Sequence, residues 1–258
     1  MQTTRPNNLL SALDLSGGVV SLVGAGGKKT TMYELASLFD GRVALTSTSH
    51  MFRYDETKVD LVTIDRNSTP EFNSDARVVA YAGPTETRNR VGGLMPSQIE
   101  TIWRKGKYGL VVIKADGARS RMIKAPAEHE PLIPDFTQLV LPLTSGLVIG
   151  QPLTSLIAHR VDLLAQTLDL AVGDMIRPLH LAKLIASPKG SLRGTKNMRV
   201  VPVINMVDDA RIKATCTEAA IIALSLTDRF DRIVLAELRH SKVVKVINRD
   251  QLNKLTFA

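Results

Sequence analysis

The sequence predicts an α/β fold built on a mostly parallel sheet covered by helices, and two features carry that prediction. Short aliphatic runs bounded by turn residues alternate with stretches of helical spacing along the chain, the pattern of strand-helix-strand units. One of these runs also feeds directly into a glycine cluster from which a helical stretch departs. No internal repeat or low-complexity linker interrupts the 258 residues, so the expectation is one three-layer domain over residues 1–258 with a sizeable core.

The elements follow in order. Val19 to Val23 reads as a strand that enters the glycines, and Thr31 to Phe39 has helical spacing stopped by Asp40-Gly41. Further strands are expected at Val43 to Thr46, Leu61 to Ile64, Val78 to Tyr81, Leu110 to Ile113, Leu139 to Leu143, Val200 to Asn205 and Ile233 to Leu235. Ser97-Gln98-Ile99-Glu100 fits a capping box at the start of a helix that ends near Lys105. Leu156 to Leu170, Pro178 to Ala186 and Asp209 to Leu226 are also read as helices, the last apolar enough to pack on the sheet. Asp116 to Pro134 shows no periodicity and is too long for a plain connector, which makes it a functional-loop candidate.

Composition narrows the function classes. With 33 Lys plus Arg against 25 Asp plus Glu the chain carries +8, which favours anionic partners. The basic residues form no run of five or six, and aromatics are only 4%, so rings for stacking successive bases are few and nucleic acid is disfavoured. No apolar run reaches the roughly 18 residues of a membrane span, and the first residues lack a signal-peptide core, so a soluble cytoplasmic protein with no membrane partner is expected. The single Cys216 lies in an Ala-rich helical stretch and reads as a buried inert thiol, and the spacing of the five histidines gives no zinc site.

The sharpest motif is Val23-Gly24-Ala25-Gly26-Gly27-Lys28-Lys29-Thr30-Thr31, placed where a strand ends and a helix begins. Glycines there let successive N–H groups turn inward, and the helix terminus adds partial positive charge, so the segment suits phosphate. A lysine beside that nest would reach the β- and γ-phosphates, and the hydroxyl of Thr30 or Thr31 would bind Mg²⁺. Against the pattern Gly-x-x-x-x-Gly-Lys-Ser/Thr the match is incomplete: Lys28 follows a glycine but precedes Lys29, whereas Lys29 precedes Thr30 but follows Lys28. A glycine turn with two solvated lysines is the plain alternative.

Further segments join it. Leu110 to Ile113 leads into Lys114-Ala115-Asp116-Gly117, and an acidic residue just past a buried strand is suited to the Mg²⁺ shell, which makes Asp116 a metal candidate expected to act through the ion rather than through the fold. An Asp-Gly turn is its alternative, and Lys114 is out of keeping, since an ordinary lysine cannot accept a proton from water at neutral pH. The apolar run Val200 to Ile204 ends in Asn205-Met206-Val207-Asp208; GTP-binding proteins place Asn-Lys-x-Asp there to read guanine, while a helix cap by Asp208 is the alternative. Thr46 to His50 offers hydroxyls and an imidazole after a strand, with Thr48 and His50 the candidate ligands, and Arg119, Arg121 and Lys124 concentrate positive charge after Asp116. His159-Arg160 opens a stretch read as helix and is either a surface start or part of a site.

These segments together resemble the YqeC family. The likeness is carried by Leu22-Val23-Gly24-Ala25-Gly26-Gly27-Lys28, Thr46-Ser47-Thr48-Ser49-His50-Met51, Ala115-Asp116-Gly117-Ala118, His159-Arg160, Asn205-Met206-Val207-Asp208 and, most specifically, Lys124-Ala125-Pro126-Ala127-Glu128-His129-Glu130-Pro131. The resemblance implies a P-loop-NTPase-like domain that binds Mg²⁺ with ATP or GTP, with Lys28 as the phosphate lysine and Lys124, His129 and Glu130 among the ligand residues. It further implies an accessory role in maturation or cofactor assembly of selenium-dependent molybdenum hydroxylases, with a molybdopterin-type cofactor as a second ligand and the hydroxylase or other maturation factors as protein partners. The sequence departs from the family pattern at Lys29, Lys114 and Met206, which bears on hydrolysis more than on binding. A carrier or chaperone that uses the same pocket without turnover is the alternative.

Overall fold

The computed structural model describes residues 8–65 and 75–251. The chain begins with α1 (Leu9–Leu13), β1 (Gly18–Gly24), α2 (Lys28–Leu38), β2 (Val43–Ser47), β3 (Met51–Phe52), β4 (Leu61–Ile64) and β5 (Val78–Ala82). It continues through β6 (Arg90–Val91), α3 (Pro96–Lys105), β7 (Leu110–Lys114), β8 (Ile123–Lys124), β9 (Leu139–Ser145), β10 (Ala158–His159), α4 (Val161–Leu168) and α5 (Pro178–Ala186). Last come β11 (Arg199–Val200), β12 (Val203–Asn205), α6 (Ala210–Leu226), β13 (Arg232–Glu237) and β14 (Lys242–Asn248).

The central sheet runs β14-β13-β12-β9-β1-β7-β2-β5-β4, with β11 also on β9. Every pair in it is parallel except β13 with β14. Strands buried on both faces need apolar residues at successive positions, which is why Leu110 to Ile113 and Leu139 to Leu141 are continuous aliphatic runs. Alternate residues then feed different layers. Val20, Leu22, Val43, Leu45, Val112 and Leu141 pack under α1 and α2, whereas Val19, Ala44, Val79 and Val111 meet α3 on the other face. On that second face Val140, Ile204 and Leu235 join α4, α5 and α6. Between its two clusters Ser21 Oγ and Thr137 Oγ1 bond at 2.9 Å in a buried position. The result is the three-layer α/β architecture expected.

β1 lies between β7 and β9, and the chain leaves it first toward β2 and β5 and later toward β12 and β13. The carboxyl end of β1 is therefore where the winding direction reverses, the place where open α/β sheets hold ligands.

Several local expectations need correction. The helix read over Leu156 to Leu170 is confined to α4, because Thr154 to Ala158 closes into turns and β10 pairs with β8. Val200 to Asn205 is interrupted: Pro202 has no N–H to give a ladder, although β11 and β12 keep one register against β9. The helix placed from Thr31 begins three residues earlier at Lys28. α3 starts with Pro96 at its first position, where a missing N–H costs nothing, and Gln98 rather than Glu100 accepts from the preceding backbone at Met95. Asp209, not Asp208, caps α6 through the Ile212 amide. No helix among the described residues is long and apolar enough to cross a membrane.

Candidate functional site

The glycine loop is shaped by close approach. Gly26 and Gly27 have φ of 82° and 121°, values that L side chains rarely adopt. A Cβ on Gly26 would stand 2.5 Å from the Ser145 amide, and one on Gly27 would stand 2.4 Å from Asn205 Nδ2. Three loop amides are committed to the fold: Gly24 donates to Asp116 Oδ2, Ala25 to Leu143 O and Gly26 to Arg121 O. What remains for a ligand is the first turn of α2, capped by Gly27 with no side-chain acceptor. A helix leaves those first amides without intrahelical partners, and its dipole makes them attractive to an anion.

Lys28 and Asp116 begin a buried chain of alternating charge. Lys28 Nζ lies 2.9 Å from Asp116 Oδ1 and also donates to the Gly24 carbonyl. Asp116 Oδ2 is 3.0 Å from Lys124 Nζ, Lys124 is 2.7 Å from Glu130 Oε2, and Arg160 reaches the same Glu130 oxygen at 2.7 Å. Lys124 additionally donates to Gly117 O. Burial lowers the Lys28 pKa, with the Asp116 charge opposing. At Glu130 burial works against ionisation, yet hydrogen bonds from Arg160 and Lys124 outweigh it and hold the carboxyl at about 2. Three cations against two carboxylates leave the chain net positive. Asp116 is thus bound into the fold as well as placed at a strand end, which the sequence did not disclose.

Beside this chain opens a cleft of about 770 Å³ whose walls gather segments that are distant in sequence. Ala25, Gly26, Gly27, Lys28, Lys29, Thr30 and His50 line it. Arg119, Arg121, Glu130, His159 and Arg160 also line it. Arg119 and Ser120 hold left-handed backbone, with φ of 47° and 58°, in the turn that brings Arg121 O over Gly26. His159 is lowered to about 4 by burial and by the charges of Arg160 and Lys124, so at neutral pH it is an uncharged imidazole. Arg160 adopts φ of 61° at the junction of β10 and α4 rather than lying within a helix.

Other candidates point elsewhere. Lys29 donates to Arg53 O and lies 5.7 Å from the Tyr33 ring centroid, so its ammonium is turned toward the segment after β3. The Thr31 hydroxyl donates back to Gly27 O, and Thr48 donates to Leu132 O. His129 is exposed. Asn205 uses both ends of its amide inside the chain, Nδ2 donating to Gly26 O and Oδ1 accepting from the Leu238 amide. Asp208 lies with Met206, Glu237 and His240 in a separate recess of about 360 Å³, whose lining shares Thr30 with the main cleft.

Among the cleft residues outside the sequence candidates are Ser49, Phe52, Arg90 and Lys114. Lys114 Nζ donates to Ser49 Oγ at 2.6 Å and to His50 O. Burial, reinforced by the neighbouring Lys28 charge, brings its pKa down to about 7. It is therefore partly deprotonated at neutral pH, contrary to the behaviour assumed for an ordinary lysine. A charged residue closing a buried aliphatic strand was the available signal. Among the described residues no group of three or more His, Cys, Asp or Glu side chains is placed to hold a metal ion.

A family profile described as YqeC protein matches residues 20–162, more than half of the chain. The chain belongs to the YqeC family. The matched segment contains the glycine loop, Thr48 to His50, Asp116, the Lys124 to Pro131 block and Arg160, and thus the walls of the main cleft. Asn205 and Asp208 fall outside it. A relative named "Uncharacterized protein YqeC" from Escherichia coli (strain K12) is 27% identical over 179 residues, covering 68% of this chain and 70% of that protein.

Proposed function

We propose that this member of the YqeC family is a cytoplasmic nucleotide-binding accessory protein whose main cleft holds a nucleoside triphosphate by its phosphates, in the service of maturation or cofactor assembly of selenium-dependent molybdenum hydroxylases. The observation that carries the binding half is the placement of Lys28, almost fully buried at the amino end of α2 beside a cleft with Lys114, Arg119, Arg121 and Arg160 on its walls. An anion there meets a helix terminus and several cations in a confined space, where charge-assisted bonds are strongest. The molybdenum hydroxylase half rests on family likeness.

Mg²⁺ at Thr30 and Asp116 would require one rearrangement. Thr30 is exposed in the cleft, but both Asp116 oxygens are in contact with ammonium groups. Mg²⁺ keeps several waters and takes few protein ligands beside the phosphates, so Thr30 and Asp116 would suffice once Lys28 turns from the carboxylate to a phosphate. The recess lined by Asp208 would receive the base. A carboxylate accepts from adjacent N–H donors such as those of guanine or a pterin, which adenine lacks, so GTP should bind better than ATP and Asp208→Ala should remove the difference.

A carrier that binds without turnover has its own support. Asp116 and Glu130, the carboxylates beside the cleft, are each engaged by two cations, leaving neither available as a base for water. Single-turnover phosphate release from ATP and GTP, run beside calorimetric binding, separates the readings. Binding with release supports an NTPase, binding without release supports the carrier, and absence of binding removes both.

A further inference from the structure

The main cleft has an aromatic edge that phosphate binding leaves unused. Phe52 is the one exposed Phe, Tyr or Trp among the described residues, at 54%. It pairs across β3 and β6 with Arg90, whose guanidinium lies 4.8 Å from the ring centroid. An exposed phenylalanine by itself means little, but this one lines an anion-attracting cleft together with the cation stacked on it.

The ring is also held in place. Just after β3, Arg53 O accepts from Lys29 and the Asp55 amide donates to the Tyr33 hydroxyl at 2.7 Å, both partners being on α2. The segment that carries Phe52 is therefore anchored to the same helix that begins at Lys28. More than half of Phe52 stays open with the guanidinium already on it, so a face or edge remains for a flat ligand. Planar heterocycles stack on aromatic side chains and on guanidinium planes, which changes affinity by roughly fivefold to a hundredfold per ring.

We propose that Phe52 and Arg90 form a ring-stacking subsite, and that the cleft takes a second ligand consisting of a planar heterocycle that carries a phosphate group. The ring lies on Phe52 and the phosphate among Lys114, Arg119 and Arg121. This rests on the reading of the cleft as an anion site and adds the residues that would hold the ring of a second ligand. The site is separate from the recess at Asp208, which lies across Thr30.

The test uses the full chain with neopterin monophosphate, GMP and ring-free ribose 5-phosphate as probes. Phe52→Ala should keep its melting temperature, since the side chain is exposed, weaken the ring-bearing probe at least fivefold and leave ribose 5-phosphate unchanged. Phe52→Trp should retain affinity and show indole emission that falls as neopterin monophosphate is added, beyond the change from Trp103 alone. Dependence on Phe52 confined to neopterin monophosphate identifies a pterin-type ring, and equal dependence for GMP identifies a nucleobase. Equal binding of the ring probes to the wild type and to Phe52→Ala overturns the proposal while leaving the anion site standing. Failure of ribose 5-phosphate and both ring probes to bind the wild type overturns the proposal together with the anion site.

Discussion

Lys28 Nζ sits 2.9 Å from Asp116 Oδ1, with the two side chains only 5% and 2% exposed. The lysine proposed to hold a phosphate is thus held on a carboxylate, and an incoming anion would have to compete with Asp116 for it. Removing either partner has consequences for both binding and stability.

Lys28→Ala should weaken nucleotide binding at least tenfold, about 1.4 kcal/mol or more. Lys29→Ala should do less, because that ammonium is occupied by Arg53 O. Calorimetry with GTP compares them, and equal or reversed losses would show that the register of the glycine loop has been misread.

Asp116→Asn should melt earlier than the wild type. It leaves Lys28 and Lys124 without their shared buried counter-charge, and breaking a buried pair by removing one partner costs about 3 kcal/mol or more. Thermal or urea unfolding measures it. An unchanged melting temperature with lost Mg²⁺-dependent affinity would return Asp116 to a purely metal-binding role.

Lys114 should make anion binding depend on pH around neutrality. With its pKa lowered to about 7, it is charged below that value and neutral above it, so affinity for an anion falls as pH rises from 6 to 8. Sulfate is a suitable probe because it does not titrate in that range. Lys114→Arg should bind sulfate with less pH dependence, and Lys114→Met should bind weakly at both ends. The same lowering means that the unfolded chain holds the extra proton between pH 7 and 10.5, so this group adds stability as pH rises through that window.

Glu130 should contribute to acid sensitivity. Its carboxyl is lowered from 4.5 to about 2, so its stabilisation is present above pH 4.5 and is lost as pH falls toward 2. Glu130→Gln should flatten the stability profile across that interval. A mutant profile parallel to the wild type from pH 4.5 to 2 would show that Lys124 and Arg160 do not hold the carboxylate in solution.

Much of the sheet was legible because strands buried on both faces are mostly apolar: Leu110 to Ile113 is aliphatic throughout, and Val19 to Val23 and Val43 to Thr46 are interrupted only by the small buried hydroxyl residues Ser21 and Thr46. β14 was missed because it is half-buried and carries lysines at 242 and 245, which break the run. α4 was overextended because Leu156 to Ala158 is apolar without being helical. For the site, local motifs disclosed Lys28, Arg119, Arg121 and Arg160, all of which line one cleft. Phe52 and Arg90 could not be paired from sequence, since 38 positions separate them and only the β3-β6 ladder brings them together. The structural task of Asn205, bracing Gly26 against Leu238, is a long-range contact that its neighbours do not announce.

β14 closes the sheet antiparallel to β13, and Lys242 and Lys245 on it are exposed. β13 beneath it is buried from Ile233 to Ala236. A chain truncated before residue 242 would therefore uncover an apolar strand with a free row of backbone donors and acceptors, the template for edge-to-edge aggregation that lysine-bearing border strands prevent. Shortened versions of this protein should precipitate for that reason even with the cleft intact, and a terminal fusion that begins after Asn248 avoids it.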